Sequence, residues 1–112
     1  MSEQPQVREN AAKHRFEIWL GDERAGMTLY QGEGQTLQFV HTEIDGRFEG
    51  KGLASILIRE ALDTVRARGV SVLPYCPFVK RFIQKHPEYL DLVPQSQRAL
   101  FELPQTAPAG DG

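Results

Sequence analysis

The chain has 112 residues, of which 40% are hydrophobic and 25% are charged, and its formal net charge is -2. This length and composition predict one globular domain with a modest core. The small net charge excludes a protein that binds nucleic acid or a membrane surface through its overall electrostatics. We expect a cytosolic protein with no membrane partner, because no apolar run approaches the ~20 residues that span a bilayer and no signal-peptide pattern opens the sequence.

The two ends of the chain are polar and lack the periodicity of helices or strands. Residues 1–13 carry no apolar pattern, and the tail from Pro104 is rich in Pro, Gly and Ala. Such segments bury too little surface to become ordered. We therefore predict a flexible N-terminus at 1–13, one domain at 14–93, and an extension at 94–112 that is largely flexible from about residue 104.

Three strands open the predicted domain. The stretch "HRFEIWL" alternates Phe16, Ile18 and Leu20 with polar or amphipathic residues, which is typical of a half-buried strand. The stretches "AGMTLYQ" and "QTLQFVHTEI" follow as two further strands after short turns that contain glycine. Short connections of this kind favour an antiparallel meander.

A helix, a strand and a second helix complete the prediction. Apolar residues recur with helical spacing from Ala54 to Val65, and the stretch "VSVLPYC" then reads as a short buried strand that could pair in parallel. Pro77 opens the second helix and Pro87 closes it. The inner side of this helix is predicted to hold Phe78, Val79, Phe82 and Ile83. The predicted order is β-β-β-α-β-α, a mixed α+β fold with helices packed on a mostly antiparallel sheet.

The junction "DGRFEGKGLAS" between the third strand and the first helix indicates an anion site. A helix N-terminus presents unpaired backbone N–H groups and the positive end of a dipole. Gly50 and Gly52 would let a phosphate approach the backbone, while Arg47 and Lys51 add positive charge. A plain strand-to-helix turn would also explain the glycines. The surrounding charge favours the anion site, since residues 47–85 contain eight Lys or Arg and three acids.

Three phosphate-binding motifs compete for this junction. A P-loop has four residues between its first glycine and its Gly-Lys pair, which Ser or Thr follows. Here only three residues separate Gly46 from Gly50, and Lys51 is followed by Gly52. A dinucleotide fingerprint needs a third glycine where Ser55 stands, and a preceding parallel βαβ unit. The third motif fits best, because "RFEGKGLAS" resembles the acetyl-CoA pyrophosphate motif of GNAT N-acetyltransferases.

The resemblance to the GNAT family extends over residues 41–93, which look like the short stand-alone members that retain mainly the acetyl-CoA-binding core. Within the motif, Arg47, Gly50 and Gly52 match the family pattern. The resemblance implies a GNAT-like sheet, acetyl-CoA as the cofactor, and transfer of an acetyl group to a primary amine of a small molecule or a protein lysine. By position it implies a cofactor site made of Ile44, Arg47, Phe48, Glu49, Gly50, Lys51, Gly52, Leu53, Ala54 and Ser55.

Three residues are candidates for the chemistry. His41 is the natural base, because imidazole titrates near neutral pH, and Glu43 lies on the same face of the strand. Larger GNAT enzymes place Asn where Cys76 stands, and a thiolate there could take the acetyl group first in a ping-pong route. Each residue also has an ordinary structural interpretation: a hydrogen-bonded strand histidine, a solvated carboxylate and a packing cysteine.

The sequence is also compatible with two further classes of function. A non-catalytic module that binds CoA or a nucleotide would share the loop but would not need His41, Glu43 or Cys76. An RNA-binding domain is supported only by the basic residues between positions 47 and 85. No RNP-like aromatic pair accompanies them, so nucleic acid is not favoured as a partner. The single cysteine builds neither an internal disulfide nor a cysteine-based zinc site, and no metal site is predicted.

Overall fold

The fold consists of one five-stranded sheet with two α-helices. The computed structural model describes residues 4–32 and 34–106. Its elements are β1 (Pro5–Asn10), β2 (Arg15–Leu20), β3 (Glu23–Gln31), β4 (Thr36–Ile44), α1 (Leu53–Ala67), β5 (Ser71–Pro74) and α2 (Pro77–Lys85). After α2 the chain forms short 3-10 helices at Pro87–Leu92, Gln95–Gln97 and Ala99–Phe101. None of the helices described is long and apolar enough to cross a membrane.

The strands lie in the sheet in the order β1-β2-β3-β4-β5. The first four pair antiparallel with their neighbours, and β5 pairs parallel with β4. The parallel pairing follows from the crossover through α1, which carries the chain over one face of the sheet before it returns. The predicted α+β class and mostly antiparallel sheet are confirmed.

The prediction of a flexible N-terminus over residues 1–13 is wrong for the part that the structure describes. β1 pairs with β2 along its whole length, from Pro5 opposite Leu20 to Asn10 opposite Arg15. This edge strand is polar and packs little more than Val7 against the core, so its own sequence gives a weak strand pattern. β1 adopts an ordered strand because its backbone pairs with that of β2.

Both helices pack on one face of the sheet. The predicted apolar stripe of α1 is confirmed, because the side chains between Leu57 and Val65 that form it are at most 2% exposed. Helix α2 adds three buried residues to the same core, namely Val79, Phe82 and Ile83. The fourth predicted inner residue, Phe78, is 48% exposed, which corrects the prediction. Its position on the helix turns it away from the core and towards a surface depression.

The core also continues beyond the predicted domain end at residue 93. Phe101 and Leu103 are buried in the same cluster as Leu92 and Val93. The Arg98 side chain donates a hydrogen bond of 2.9 Å to the Val93 carbonyl and so fixes this turn. Residues 94–103 are therefore packed onto the domain, while the predicted loose tail falls mostly on residues 107–112, which lie outside the described chain.

Glu9 connects the edge strand β1 to the rest of the fold. Its carboxylate accepts hydrogen bonds from the Arg68 guanidinium at the end of α1 and from the Tyr30 hydroxyl on β3. The Arg68 hydrogen bond is the largest cause that holds the pKa of Glu9 below its usual value. Burial, reinforced by Glu9, raises the pKa of Tyr30 to about 12.

This arrangement predicts a pH-dependent contribution of Glu9 to stability. A carboxyl group whose pKa is lowered by folding stabilises the fold above its unfolded pKa, and this stabilisation disappears as the pH falls through the folded pKa. We expect Glu9→Gln to lower the free energy of unfolding by about 1–2 kcal/mol at neutral pH. The effect of the substitution should shrink as the pH falls through the folded pKa of Glu9, measured by urea denaturation at neutral and acidic pH.

Glu60→Gln is the matched control for this experiment. Glu60 is an exposed residue of α1 that pairs with no basic side chain of the described chain. Its substitution should change stability by less than about 0.5 kcal/mol at either pH. An equal loss of stability for Glu9→Gln at neutral and acidic pH would contradict the role of the charged carboxylate.

Candidate functional site

The sheet opens between β4 and β5. Their parallel pairing ends where Phe39 lies opposite Pro74, whereas β4 continues for five more residues to Ile44. At the point of divergence the Cys76 amide donates a hydrogen bond of 2.8 Å to the Phe39 carbonyl. The chain then turns into α2 at Pro77. This divergence leaves one edge of β4 without a strand partner over residues 40–44.

A cavity of about 540 Å³ lies beside this open edge. It extends from the end of β4 to the N-terminus of α1, with the exposed ring of Phe78 on the α2 side. Its lining is Thr42, Glu43, Ile44, Phe48, Glu49, Gly50, Gly52, Leu53, Ala54, Ser55 and Phe78. Of the predicted cofactor residues, only Arg47 and Lys51 are not part of the lining. The structure therefore gathers most of the predicted cofactor segment around one cavity.

The backbone amides of this segment are available to a ligand. Phe48 and Glu49 donate their N–H groups to the carbonyls of Asp45 and Gly46. The N–H groups of the next six residues, from Gly50 to Ser55, donate to no acceptor among the described residues, and no side chain caps α1. Together with the positive end of the α1 dipole, they form a cluster of donors that suits an anion.

The two glycines shape the backbone that carries these amides. Gly50 has a φ of 82° and Gly52 a φ of 74°, values in the left-handed region that favours glycine. A Cβ atom added at either position would meet no atom within 4 Å. The space over both residues is therefore open, as close approach of a phosphate requires.

Most of the predicted positive charge around the loop is already paired. Arg47 lies beside Asp45, with Nε–Oδ1 and Nη2–Oδ2 distances of 3.3 and 3.4 Å. The Arg47 side-chain hydrogen bond holds the pKa of Asp45 below its usual value. Four other basic residues between positions 47 and 85 form salt bridges with acidic residues that lie outside this segment. The pairs are Arg59–Glu88, Arg66–Asp91, Arg68–Glu9 and Lys80–Glu102. The backbone amides of the loop are therefore more available to an anion than the paired charge of Arg47.

Cys76 lies inside the fold, at the start of α2. It is 1% exposed, and its Sγ lies 3.1 Å from the Thr42 hydroxyl. The Thr42 hydroxyl in turn lies 2.8 Å from the Thr28 hydroxyl. These three buried groups satisfy one another and connect β3, β4 and α2 where the sheet opens. Because Thr42 also lines the cavity, Cys76 is one side chain removed from it.

His41 and Glu43 lie on the opposite face of the sheet. Their side chains are 51% and 62% exposed, and His41 Nε2 lies 2.8 Å from Glu43 Oε2. The structure therefore confirms that the two residues share a face, but it does not bring them together with Cys76. Glu43 borders both the large cavity and a smaller depression of about 110 Å³ next to Asp45 on the outer face.

Sequence reasoning missed two residues of the site. Thr42 lies between His41 and Glu43, and strand alternation directs it to the other face, where it meets Cys76. The sequence predicts Phe78 in the core because it is apolar and adjoins the α2 stripe. Strand alternation was a usable signal for Thr42, whereas the exposure of Phe78 depends on the packing of α2.

The geometry defines a small α+β domain in which a sheet opens beside a loop whose backbone amides suit an anion. A family model described as GCN5-related N-acetyl-transferase matches residues 15–92. Protein NATD1 of Danio rerio is 26% identical over 91 residues, which cover 78% of this chain and 83% of that protein. A GCN5-like protein of Staphylococcus aureus, solved by NMR in solution, superposes with a TM-score of 0.62 at 17% identity and covers 80% of this chain and 87% of its own.

The chain belongs to the GCN5-related N-acetyltransferase family, because the family model spans well over half of its length. Its fold agrees with that of the structural relative, which at this low identity shows the fold alone. Acyl transfer is the activity of this family, and its members generally use acetyl-CoA. The predicted family and the predicted class of enzyme are confirmed.

Proposed function

We propose that the chain binds acetyl-CoA at the open edge of β4 and transfers the acetyl group to a primary amine. The observation that carries the proposal is the run of six backbone N–H groups from Gly50 to Ser55 that find no acceptor in the described chain, five of them on residues that line a cavity of about 540 Å³. A diphosphate placed there would accept hydrogen bonds from these donors and would meet the positive end of α1.

The open edge of β4 supports the placement of the rest of the cofactor. Residues 42–44 line the cavity with strand backbone that has no β5 partner. An amide-containing pantetheine arm could pair with this edge as an additional strand would. That path directs the acyl end towards Thr42, next to Cys76, and leaves the diphosphate at the loop.

His41 is proposed as the base. A primary amine must lose a proton as its nitrogen attacks the thioester carbonyl, the new C–N bond forms and the C–S bond breaks. The imidazole of His41 would receive that proton, and Glu43, at 2.8 Å, would hold the ring in position. The departing thiolate must gain a proton in turn. The exposed face that carries this pair gives the amine acceptor a route from the side opposite the helices.

Cys76 distinguishes two routes for the acetyl group. In direct transfer the amine attacks the thioester itself, whereas in the covalent route the Cys76 sulfur first forms a thioester as the C–S bond of acetyl-CoA breaks. Direct transfer is the proposal that the geometry favours, because the thiol is buried and its polar contact is the neutral Thr42 hydroxyl.

Direct transfer predicts a small effect of Cys76→Ser on turnover. We expect kcat to fall by no more than about threefold, because the change keeps the size of the group and its contact with Thr42. Steady-state kinetics with a saturating amine provide the measurement. A loss of turnover, together with an acetyl adduct on Cys76 of the unchanged protein in the absence of amine, would establish the covalent route instead.

A test of the activity itself also addresses the non-catalytic alternative. The protein is incubated with acetyl-CoA and a panel of polyamines and lysine peptides, and the products are read by mass spectrometry. We expect an acetylated amine and free CoA in equal amounts. Tight binding of acetyl-CoA without any product would favour a CoA-binding module. A cytoplasmic location belongs to the same proposal, since an unpaired cysteine suits a reducing compartment.

A further inference from the structure

A row of side chains crosses the outer face of the sheet, the face opposite α1 and α2. His41 of β4 lies opposite Leu29 of β3, and Leu29 lies opposite Arg15 of β2. Directly opposed residues of antiparallel strands point to the same face, and neighbouring strands lie about 4.8 Å apart. His41 and Arg15 are therefore two strand spacings apart, about 10 Å. The half-buried Leu29 lies between them.

The Arg15 end of this row is basic. Arg15 and Arg24 both approach the buried Glu17 carboxylate, at 2.7 and 3.9 Å from its Oε2 atom. Arg8 lies opposite Glu17 in the pairing of β1 with β2, and among the described residues it forms no salt bridge. Three guanidinium groups and one carboxylate thus share this end, which leaves an excess of two positive charges. Only Nε of Arg15 donates to Glu17, so its outer N–H groups are available to an anion.

The opposite end of the row is acidic, and its middle is apolar. Glu43 is 62% exposed and forms no salt bridge with any Lys or Arg of the described chain. The half-buried Met27 lies opposite Glu43, and both line a depression of about 110 Å³ that Arg24 also lines. Asp45 borders the same depression, but Arg47 compensates its charge. The face therefore presents a negative charge, an apolar strip and an excess of positive charge, in that order.

We propose that the acceptor is a straight-chain amine with a carboxylate at its other end, namely a lysine whose carboxyl group is free. Its ε-amine lies at His41, and its four-carbon stem lies over Leu29. Its carboxylate accepts charge-assisted hydrogen bonds from Arg15 and Arg24. The inference rests on the proposed acetyl transfer at this face and narrows the class of acceptor. A polyamine is disfavoured, because its second cation would meet the basic end.

A titration of the isotope-labelled protein, followed by NMR, tests the inference without requiring turnover. The ligands are ε-aminocaproate, ε-aminocaproamide and hexamethylenediamine, which share an amine and an aliphatic chain. They differ at the other end, which is a carboxylate, a neutral amide or a second ammonium group. We expect ε-aminocaproate to bind about tenfold more tightly than the amide, because only the carboxylate accepts charge-assisted hydrogen bonds. The diamine should bind no better than the amide.

Variants of the two arginines locate the carboxylate site. Arg24→Gln should weaken ε-aminocaproate about threefold, and the double variant Arg15→Gln, Arg24→Gln should bind it no better than the amide. The Arg24 side chain is 43% exposed, so its single variant should keep the fold even if Glu17 tolerates the loss of Arg15 poorly. Arg81→Gln removes an exposed guanidinium from α2, on the other side of the sheet, and should keep the full preference.

The outcomes separate this inference from the proposed function. Equal affinity of the unchanged protein for ε-aminocaproate and its amide, or an undiminished preference in Arg24→Gln, would overturn the inference and leave acetyl transfer to other amines intact. Binding of ε-aminocaproate as expected, without acetylation of any amine, would overturn the proposed function but not the binding site.

Turnover with acetyl-CoA identifies the source of the lysine. The substrates are free lysine, a peptide that ends in lysine, and the same peptide with an amidated C-terminus. Acetylation of free lysine or of the first peptide shows which source the protein uses. We expect kcat/KM for the amidated peptide to be about tenfold lower than for the peptide with a free carboxylate. Equal values for the two peptides, with free lysine unreactive, would contradict the inference.

Discussion

Replacing both Gly50 and Gly52 with alanine is expected to lower the affinity for acetyl-CoA by about a hundredfold. Both residues have left-handed backbone angles, which cost an alanine roughly 1–2 kcal/mol each. The loop should relieve this strain by moving away from the conformation that presents its amides. Each 1.4 kcal/mol corresponds to about a factor of ten in affinity. The added methyl groups would also occupy the open space over the loop.

Gly69→Ala is the matched control for this change. Gly69 follows the other end of α1 with a φ of 70°, and a Cβ atom there would also meet nothing within 4 Å. This variant therefore carries the same kind of backbone strain at one residue, about half of that in the double variant, without contact with the cavity. We expect an unchanged dissociation constant in calorimetry. If Gly69→Ala and the double loop variant weakened binding equally, the loss would reflect general destabilisation and not the loop.

Replacing His41 with alanine should lower kcat by about a hundredfold to a thousandfold, the usual contribution of a positioned general base. The affinity for acetyl-CoA should stay the same, because His41 lies on the sheet face opposite the helices and does not line the large cavity. Glu43→Gln should lower kcat by about tenfold, since an amide holds the imidazole less firmly and stabilises its charged form less. Steady-state kinetics combined with calorimetry separate the two effects.

His14→Asn is the control for the histidine variant. His14 is an exposed residue with a φ of 53°, a backbone conformation that asparagine tolerates. Its substitution should leave both kcat and affinity within about twofold of the unchanged protein. Full turnover in His41→Ala, measured up to saturating amine, would exclude His41 as the base.

The loop and its helix were predictable because their signals are local. The apolar stripe up to Val65 has a helical period, and the two glycines mark the turn that precedes it. The parallel pairing of β5 followed from the single helix that crosses between it and β4. In these places propensity, pattern and turn chemistry agree, and the structure follows them.

Features that depend on distant partners were not predictable in the same way. β1 lacks a strong pattern of its own and becomes ordered because β2 pairs with it. The excess of positive charge predicted for residues 47–85 is largely neutralised, because acidic partners such as those of Arg59 and Lys80 lie outside this segment. Cys76 and His41 lie on opposite faces of the sheet. Their positions in the sequence do not show this, because Cys76 belongs to a different part of the chain from β4.

In the candidate site, too, features formed by residues close in sequence were predictable, and features formed by residues distant in sequence were not. The cofactor segment is contiguous in sequence, so a motif could identify it, and the structure gathers most of it around one cavity. A second cavity of about 210 Å³ combines Ser55 of α1 with Arg81 and Lys85 of α2, which come together only through helix packing. A sequence motif can therefore identify the loop, whereas the second cavity becomes apparent only in the fold.

The most direct test of the binding loop is a titration of the isotope-labelled protein with acetyl-CoA, followed by the backbone amide signals in NMR. Amides that begin to donate hydrogen bonds to a diphosphate shift strongly. The largest changes are expected at the six residues from Gly50 to Ser55, whose N–H groups find no acceptor within the described chain. Binding of acetyl-CoA that leaves these six signals in place would contradict the account.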